Sequence, residues 1–469
     1  TVTISDIELD DLLASSGSNS VGYLPAGTGA VASTVQSKLR ESVSVKDFGA
    51  TGNGSTDDTA AIQAALNSAA QSVYFPAGTY NVSSAITIPS IMTLHGDGPI
   101  NSTIRTTSTT ANIFSITSIY ACGFSNLRFS STVVRTAGAY IIGPTAVTNS
   151  MSSFYRCEFI LGFENLDLQN MVQVSIANCL FSGYSSVGVT IASPLIPDNG
   201  DSNITACVFN GTGAAVRQTS SGGLRISNNK FLNGTYHFLG EYGTGATSTS
   251  ILLFQNNSSE MATVSNVALN SFSSTNFARV IITGNEFTLA ASATGITTVD
   301  TGGVWLTELI IGGNLIAMSA SSTGLNIPRV NRASILTNSF FMNGAGTTGL
   351  TFGANATNVT VAPQDFYGTV TTPYSGTLTG VTFSPGRIEK ATVSGIVTNV
   401  AYGTLYASAA QTATFGQTYG KIPTITFTPF GTAGLVSVVI SSPTTAGFTY
   451  YAIGVTNGGA TQLSWQAVG

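Results

Sequence analysis

The chain has 469 residues, of which only 8% are Asp, Glu, Lys or Arg, and its formal net charge is −5. Because soluble proteins carry about 25% charged residues, this composition predicts a polar but nearly uncharged surface without the basic patch that nucleic acids require. No apolar stretch has the length of a membrane span. The chain starts at Thr1 without Met or an apolar leader, so we expect a fragment of a longer protein with no secretory signal.

A helix is predicted first, in the stretch STDDTAAIQAALNSA. Ser55 to Asp58 supply its N-cap, and Ala61, Ile62, Ala65 and Leu66 form one apolar face. A stack of repeats exposes apolar ends that need covering. We therefore expect this helix to cap the array that follows it.

The next 240 or so residues repeat one short phrase about nine times, with an Asn or Cys two residues before an aromatic. Examples are ANCLFSG, SNNKFLNG and TGNEFT, each preceded by an alternating run that predicts a strand with one buried face. Side chains two apart share a face, so the slot before the aromatic predicts an interior column, and the residue between them faces out. The slot holds Leu127, Cys157, Cys179, Cys207, Asn229, Asn285, Asn314, Asn338 and Gln364.

Successive Asn side chains of this column can hydrogen-bond along the stack, which satisfies polar groups inside a dry core. The cysteines are interpreted as buried thiols in the same slot, with a disulfide as the alternative. Only His95 and His237 occur, and the cysteines lack paired metal spacing, so we expect no metal and no cofactor.

The predicted fold is all-β: a right-handed parallel β-helix over residues 46–370 with the N-terminal capping helix. A linker over residues 371–384 follows, rich in Thr, Gly and Ser. Residues 385–469 contain longer hydrophobic strands such as IPTITFTPF and FTYYAIGVT. These strands, with regular turns between them, predict an antiparallel β-sandwich.

The motifs SVKDFGATGNGSTDDTAAIQAAL, VYFPAGTYNV and MTLHGDG resemble the opening of the pectate-lyase-3-type β-helices found in bacteriophage tailspike depolymerases. The stretch PAGTGAVASTVQSKLRESVS is similar to the connector of such proteins, which assigns residues 1–45 to an N-terminal connector. The C-terminal segment resembles small lectin-like sandwiches of the H-type that form trimers.

The resemblance implies a homotrimer that binds and depolymerises a bacterial surface polysaccharide, either capsule or O-antigen. It also implies a place in the virion tail, with attachment to the tail or baseplate through a part that precedes this chain. Folding in the reducing host cytoplasm would suit free thiols. The NTD, GHG and RIK motifs of polygalacturonases and the acidic cluster of calcium-dependent pectate lyases are absent from the helical region, so the fold does not give the chemistry.

Glycoside hydrolysis requires two carboxyl groups, one as acid and one as base or nucleophile. GFENLDLQ supplies Glu164 and Asp167, and the loop ASPLIPDNGDSN supplies Asp198 and Asp201 about one turn later. We expect Glu164 and Asp198 to be acid and base, with Asp167 and Asp201 in support. The alternative for Asp198 and Asp201 is an Asx-turn with their own backbone.

A second cluster, GTYHFLGEYGTG, contains His237 and Glu241 near Arg217 and Arg225. A polysaccharide lyase needs a base and a cation that neutralises the uronate, which these residues would supply; the alternative is a buried or stacking His237. Aromatic side chains that could stack on sugar rings include Tyr184. The residues predicted to bind substrate are Tyr236, Tyr242, Arg225 and Trp305.

Hydrolysis is favoured over lyase chemistry. The alternatives from other classes are a non-catalytic carbohydrate-binding adhesin and a purely structural spike. The sugar, its linkage and the stereochemistry of cleavage stay open at this stage.

Overall fold

A computed structural model describes most of the chain, which forms two compact units, residues 1–230 and 231–469. Nearly all described elements are β-strands, as predicted. The described residues are 6–68, 70–89, 91–117, 121–144, 151–169, 171, 173–192, 201–219, 223–241, 250–270, 278–298, 306–368, 372–377, 379–383 and six strands between 406 and 468.

The N-terminal unit begins with short elements. Helices Asp6–Leu13 and Val35–Leu39 flank the 3-10 turn Gly17–Asn19 and an antiparallel pair, Gly22–Tyr23 with Ser33–Thr34. These elements lie within the predicted connector.

The predicted capping helix is present as Thr59–Leu66, after a 3-10 turn at Val45–Phe48. Ile62, Ala65 and Leu66 are buried, which confirms the predicted apolar face. The predicted N-cap bond is wrong for Asp58. Its carboxylate instead accepts hydrogen bonds from the backbone N–H groups of residues 51 and 52, at 2.7 and 3.2 Å. The carboxylate of Asp57, within the predicted range, accepts from the backbone N–H of Thr59 at 3.0 Å.

Each full turn of the N-terminal unit adds one strand to each of three parallel sheets, which we number 1, 2 and 3 in the order of the turn. Sheet 1 contains Ser42–Ser44, Ser72–Phe75, Met92–Gly96, Ala121–Ser125, Met151–Tyr155, Ser175–Ala177, Ser202–Thr205 and Gly223–Ser227. Sheet 2 contains Asn53–Asp57, Gly78–Val82, Ser102–Thr106, Arg128–Ser131, Glu158–Ile160, Leu180–Ser182 and Val208–Asn210. Sheet 3 contains Ile86–Ile88, Phe114–Ile116, Ala139–Ile142, Glu164–Gln169, Val187–Ala192 and Ala214–Gln218.

The C-terminal unit has the same plan, and the strand Lys230–Leu232 contains the boundary between the units. Its sheet 1 contains Ser250–Gln255, Ala278–Thr283, Glu308–Gly312, Ala333–Ile335, Val359–Val361 and Val381–Phe383. Sheet 2 contains Ser258–Glu260, Glu286–Thr288, Leu315–Met318, Ser339–Met342 and Asp365–Gly368. Sheet 3 contains Tyr236–Glu241, Ser265–Asn270, Thr294–Thr298, Thr323–Val330, Thr348–Ala356 and Thr372–Gly376. Each unit is thus a parallel β-helix.

Thr372–Gly376 and Val381–Phe383 still pair in parallel with the preceding strands. These residues therefore belong to the β-helix and not to the predicted linker, because short strands of a solenoid tolerate the Thr-, Gly- and Ser-rich composition that suggested a linker. The later described strands pair antiparallel in two sheets, as the sequence predicted. They are Tyr406–Ala407, Gln411–Thr414, Thr424–Phe430, Leu435–Ser441, Gly447–Gly454 and Gln462–Val468. Face-to-face packing of the two sheets stays a prediction.

The turn between sheets 1 and 2 favours certain residue types directly before the slot. From Leu127 to Asn314, the residue before the slot has a positive φ, as at Asn178 (56°) and Gly284 (70°), a backbone conformation that Gly and Asn adopt more readily than other residues. The turn points the next side chain into the core. The positions are Asn126, Arg156, Asn178, Ala206, Asn228, Asn256, Gly284 and Gly313.

The slot is the predicted interior column, with each member at most 3% exposed from Leu127 to Asn338. In the C-terminal unit, Asn257 donates to Asn285 from both its backbone N–H (2.9 Å) and its amide (3.0 Å). Asn285 donates to Asn314 and Asn314 to Asn338 in the same way. This ladder confirms the predicted bonding along the stack.

Cysteines take the same place in the N-terminal unit. Cys157, Cys179 and Cys207 are buried and free, as predicted, and so is Cys122. The backbone N–H of Cys179 donates to Sγ of Cys207 at 3.4 Å, so the sulfur replaces the Asn oxygen as acceptor. The repeat aromatics stack beside them, with ring centroids 5.0 to 4.6 Å apart from Phe129 to Phe209.

Asn285→Ala should destabilise the protein strongly, because it leaves the N–H and amide of Asn257 and the carbonyl of Phe254 buried without their partner. We expect a loss of about 3–5 kcal/mol in the free energy of unfolding by urea. Asn285→Cys should lose less, since a thiol occupies the slot elsewhere. Asn326→Ala, which removes one bond at a half-exposed site, is the matched control. Equal losses for Asn285→Ala and Asn326→Ala would contradict the role of the ladder.

Candidate active site

Sheet 3 of the N-terminal unit presents a polar column on its outer face. Leu166 and Leu168 point into the core and are fully buried, so Asp167 between them points outward. The parallel register places Asp167 beside Thr190 on the next strand, and Thr190 beside Arg217 on the strand after it. Asp167 and Thr190 are only 8% and 5% exposed, so this outward column is nevertheless enclosed.

Glu164 begins the same strand and is half-buried. Asn165 and Leu166 follow it, and both are fully buried. Two consecutive inward residues restore the outward direction at Asp167, so Glu164 and Asp167 lie on the same face of one strand. This strand therefore supplies two carboxyl groups to one surface.

The charges of this face affect one another. Burial raises the pKa of Glu164 above its usual value, and the neighbouring carboxylate of Asp167 raises it further. Arg217 acts in the opposite direction and lowers the pKa of Glu164. Because burial is the largest cause, the environment favours the protonated form of Glu164, which suits a general acid.

Asp201 and Arg225 lie elsewhere. Asp201 is exposed and directly precedes the sheet 1 strand Ser202–Thr205, and Arg225 is exposed on the next strand of that sheet, beside Asn203. The structure therefore groups Glu164 with Asp167 and Arg217, and places Asp201 and Arg225 on sheet 1. Asp198, Tyr242 and Trp305 lie outside the described residues, and their roles stay predictions.

His237 has no access to a substrate on the outer surface, because its side chain is fully buried. Its Nδ1 lies 2.5 Å from Oγ of Ser259 and its Nε2 lies 2.6 Å from the carbonyl oxygen of Asn233. The ring stacks on Phe231 at 5.5 Å. Burial lowers the pKa of His237 to about 4. The structure thus agrees with the alternative interpretation of a buried, stacking histidine and not with a catalytic base.

Tyr236 and Glu241 are the two ends of one sheet 3 strand in the C-terminal unit, and both are partly exposed. Tyr236 lies beside Ser265 and Glu241 beside Asn270. They keep access to a ligand. Tyr184 does not: it is 1% exposed, so its predicted stacking on sugar is wrong.

We call the outer face of sheet 3 that carries Glu164, Asp167, Thr190 and Arg217 the acidic face. The sequence did not predict that Thr190 and Arg217 belong to it. Thr190 received no role, and Arg217 was placed with the second cluster because the two are close in sequence. A signal existed: counting about eight or nine residues beyond the repeat aromatic leads from Phe159 to Asp167 and from Phe181 to Thr190. The same count applied to Phe209 leads to Arg217.

Within the part of the chain that the structure describes, no three His, Cys, Asp or Glu side chains cluster as metal ligands. The same described residues contain no helix with the length and apolarity of a membrane span. The acidic face itself offers the carboxyl groups of Glu164 and Asp167, the hydroxyl of Thr190 and the guanidinium of Arg217.

Comparison with known proteins addresses the fold. Residues 42–257 match the family described as rhamnogalacturonase A/epimerase, pectate lyase-like. Over 65 residues the chain is 49% identical to mannuronan C5-epimerase AlgE3 of Azotobacter vinelandii, a match that covers 12% of this chain and only 4% of that enzyme.

Solved structures are similar over longer stretches. A double-mutant tailspike protein of E. coli bacteriophage HK620, in complex with a pentasaccharide, superposes with a TM-score of 0.55 at 14% identity and covers 99% of both chains. The Streptococcus pneumoniae surface protein and adhesin PfbA has a TM-score of 0.53 at 17% identity and covers 72% of this chain and 99% of its own. At such identities the likeness concerns the fold. The resemblance predicted from the sequence is confirmed at that level: the chain is a parallel β-helix with the fold of phage tailspike proteins.

Proposed function

We propose that this protein is a phage tailspike that binds and hydrolyses a bacterial surface polysaccharide, capsule or O-antigen. The observation that carries the proposal is the pair Glu164 and Asp167 on one outer face, with the pKa of Glu164 raised. Paired carboxyl groups in different protonation states are what glycoside hydrolysis requires.

Glu164 is the general acid in this proposal, because burial raises the pKa of its carboxyl group and so favours the protonated form. Asp167 is the base. Residues three apart in a strand have Cα atoms about 10 Å apart, so the two carboxyl groups fit the inverting separation of about 6.5–9.5 Å better than the retaining one. Arg217 lies one strand beyond Thr190 and balances the negative charge of the pair.

The substrate class is inferred from the surface and from similar structures. A chain with only 8% charged residues presents a weakly charged surface, which suits a sugar polymer that offers mainly hydroxyl groups for hydrogen bonds. The HK620 tailspike binds a pentasaccharide on a similar β-helix. Assembly as a homotrimer, through the C-terminal strands, and attachment to the virion tail belong to the same proposal.

A lyase remains a second candidate only through Tyr236 and Glu241. The burial of His237 removes the base that the second cluster offered. A non-catalytic adhesin is the main alternative outcome of the tests below.

Glu164→Gln and Asp167→Asn should each lower the rate of polymer cleavage by about 10²–10⁴-fold, since each removes one proton-transfer group, while polymer binding is retained. Purified protein is mixed with a panel of bacterial surface polysaccharides, and products are measured by mass spectrometry. Hydrolysis adds one water per cut. The control is Glu286→Gln, an exposed carboxyl group on sheet 2 of the C-terminal unit, which should keep the wild-type rate.

Three outcomes would contradict this assignment. Unsaturated products would indicate a lyase. Binding of one polymer without cleavage would indicate an adhesin. Full activity of both carboxylate variants, with cleavage by the wild type, would move the active site away from this face.

Glu164→Gln should also change the pH dependence of stability. A folded-state pKa above the unfolded value of 4.5 means that the stabilising contribution is complete below pH 4.5 and is lost as pH rises through the folded pKa. The variant stays neutral, so its thermal midpoint should exceed that of the wild type at pH 8, with the difference disappearing at pH 4. A variant that loses stability mainly at pH 8 would show that Glu164 is held as an anion.

A further inference from the structure

We infer that the hydroxyl group of Thr190, together with the carboxylate of Asp167, holds the water molecule that attacks the sugar. This inference rests on the proposed hydrolysis and adds Thr190 as a positioning residue.

The hydroxyl of Thr190 has no hydrogen-bond partner in the described structure, and its oxygen is buried. The residue as a whole is 5% exposed. Burying a hydroxyl without a partner costs free energy, whereas Val has the same shape without that cost. Thr and Val are both favoured in strands, so strand propensity does not explain the hydroxyl. The orphaned hydroxyl points to a small polar molecule bound beside it.

The neighbours of Thr190 identify that molecule as water. Asp167 lies beside Thr190 on one adjacent strand and Arg217 on the other. Adjacent strands are about 4.8 Å apart, so one water can lie within hydrogen-bond distance of both the hydroxyl and the carboxylate. A buried water needs at least two polar partners, and this pair supplies them.

The water then has a defined part in the reaction. Its oxygen attacks the anomeric carbon as its proton passes to the carboxylate of Asp167. The bond between the anomeric carbon and the glycosidic oxygen breaks, and that oxygen takes the proton of Glu164. One water is consumed, and because it attacks opposite the leaving group, the product has the inverted anomeric configuration.

The test compares Thr190→Val with Thr190→Ser. Thr190→Val should lower kcat by about 100-fold, as expected for a misplaced nucleophile, with KM within about twofold of the wild type and an unchanged or higher thermal midpoint. Thr190→Ser should restore most of kcat, because it keeps the hydroxyl. The matched control is Thr323→Val, an outward threonine on sheet 3 of the C-terminal unit, which should keep the wild-type kcat.

A crystal structure of the unliganded wild type supplies a readout independent of activity. It should contain a water within about 3.2 Å of both Oγ1 of Thr190 and a carboxylate oxygen of Asp167, and Thr190→Val should lack it. Full kcat in Thr190→Val, while Glu164→Gln is inactive, would overturn the role of Thr190 and leave the proposed hydrolysis intact. A Thr190→Val variant with a lower kcat, a higher KM and a lower thermal midpoint would assign Thr190 a structural role only. A wild type that cleaves no polymer would overturn both proposals.

Discussion

The register between successive turns is the constraint on which the structure depends. The interior side chain of the slot accepts a hydrogen bond from the backbone N–H of the slot residue one turn earlier. The acceptors are Asn285, Asn314 and Asn338 in the C-terminal unit, and Cys207 and Asn229 in the N-terminal unit. A slip by one residue would turn each slot side chain outward and each charged neighbour inward. The ladder therefore makes one alignment of the turns far more stable than the others.

The same register builds the acidic face. Once the slot is fixed, the residues that follow it on sheet 3 are fixed as well, and Asp167, Thr190 and Arg217 lie side by side. The rigid stack holds their backbones at strand spacing without a loop. Catalytic groups on a regular sheet need little reorganisation during a reaction.

The repeat, the interior column, the buried thiols and the capping helix could be predicted from the sequence, because each depends on local alternation or on one recurring spacing. The continuation of parallel strands to Phe383 could not, because Thr- and Gly-rich stretches suit both short strands and linkers. For the site, the sequence predicted that Glu164 pairs with a second carboxyl group, that of Asp198. The structure describes Asp167 as the neighbour of Glu164, and Asp198 lies outside the described residues. His237 is one of consecutive buried residues on its sheet 3 strand, and a simple inward-outward alternation does not predict such a run. Arg217 shows the same limit, since its neighbours are set by register and not by distance along the chain.

A crystal structure of Glu164→Gln soaked with oligosaccharides from its own polymer tests the central claim most directly. The account predicts a sugar chain on the outer face of sheet 3 in the N-terminal unit. The glycosidic oxygen should lie within hydrogen-bond distance of residue 164, with the anomeric carbon facing Asp167. Sugar bound only elsewhere, for example at Tyr236 and Glu241, would contradict it.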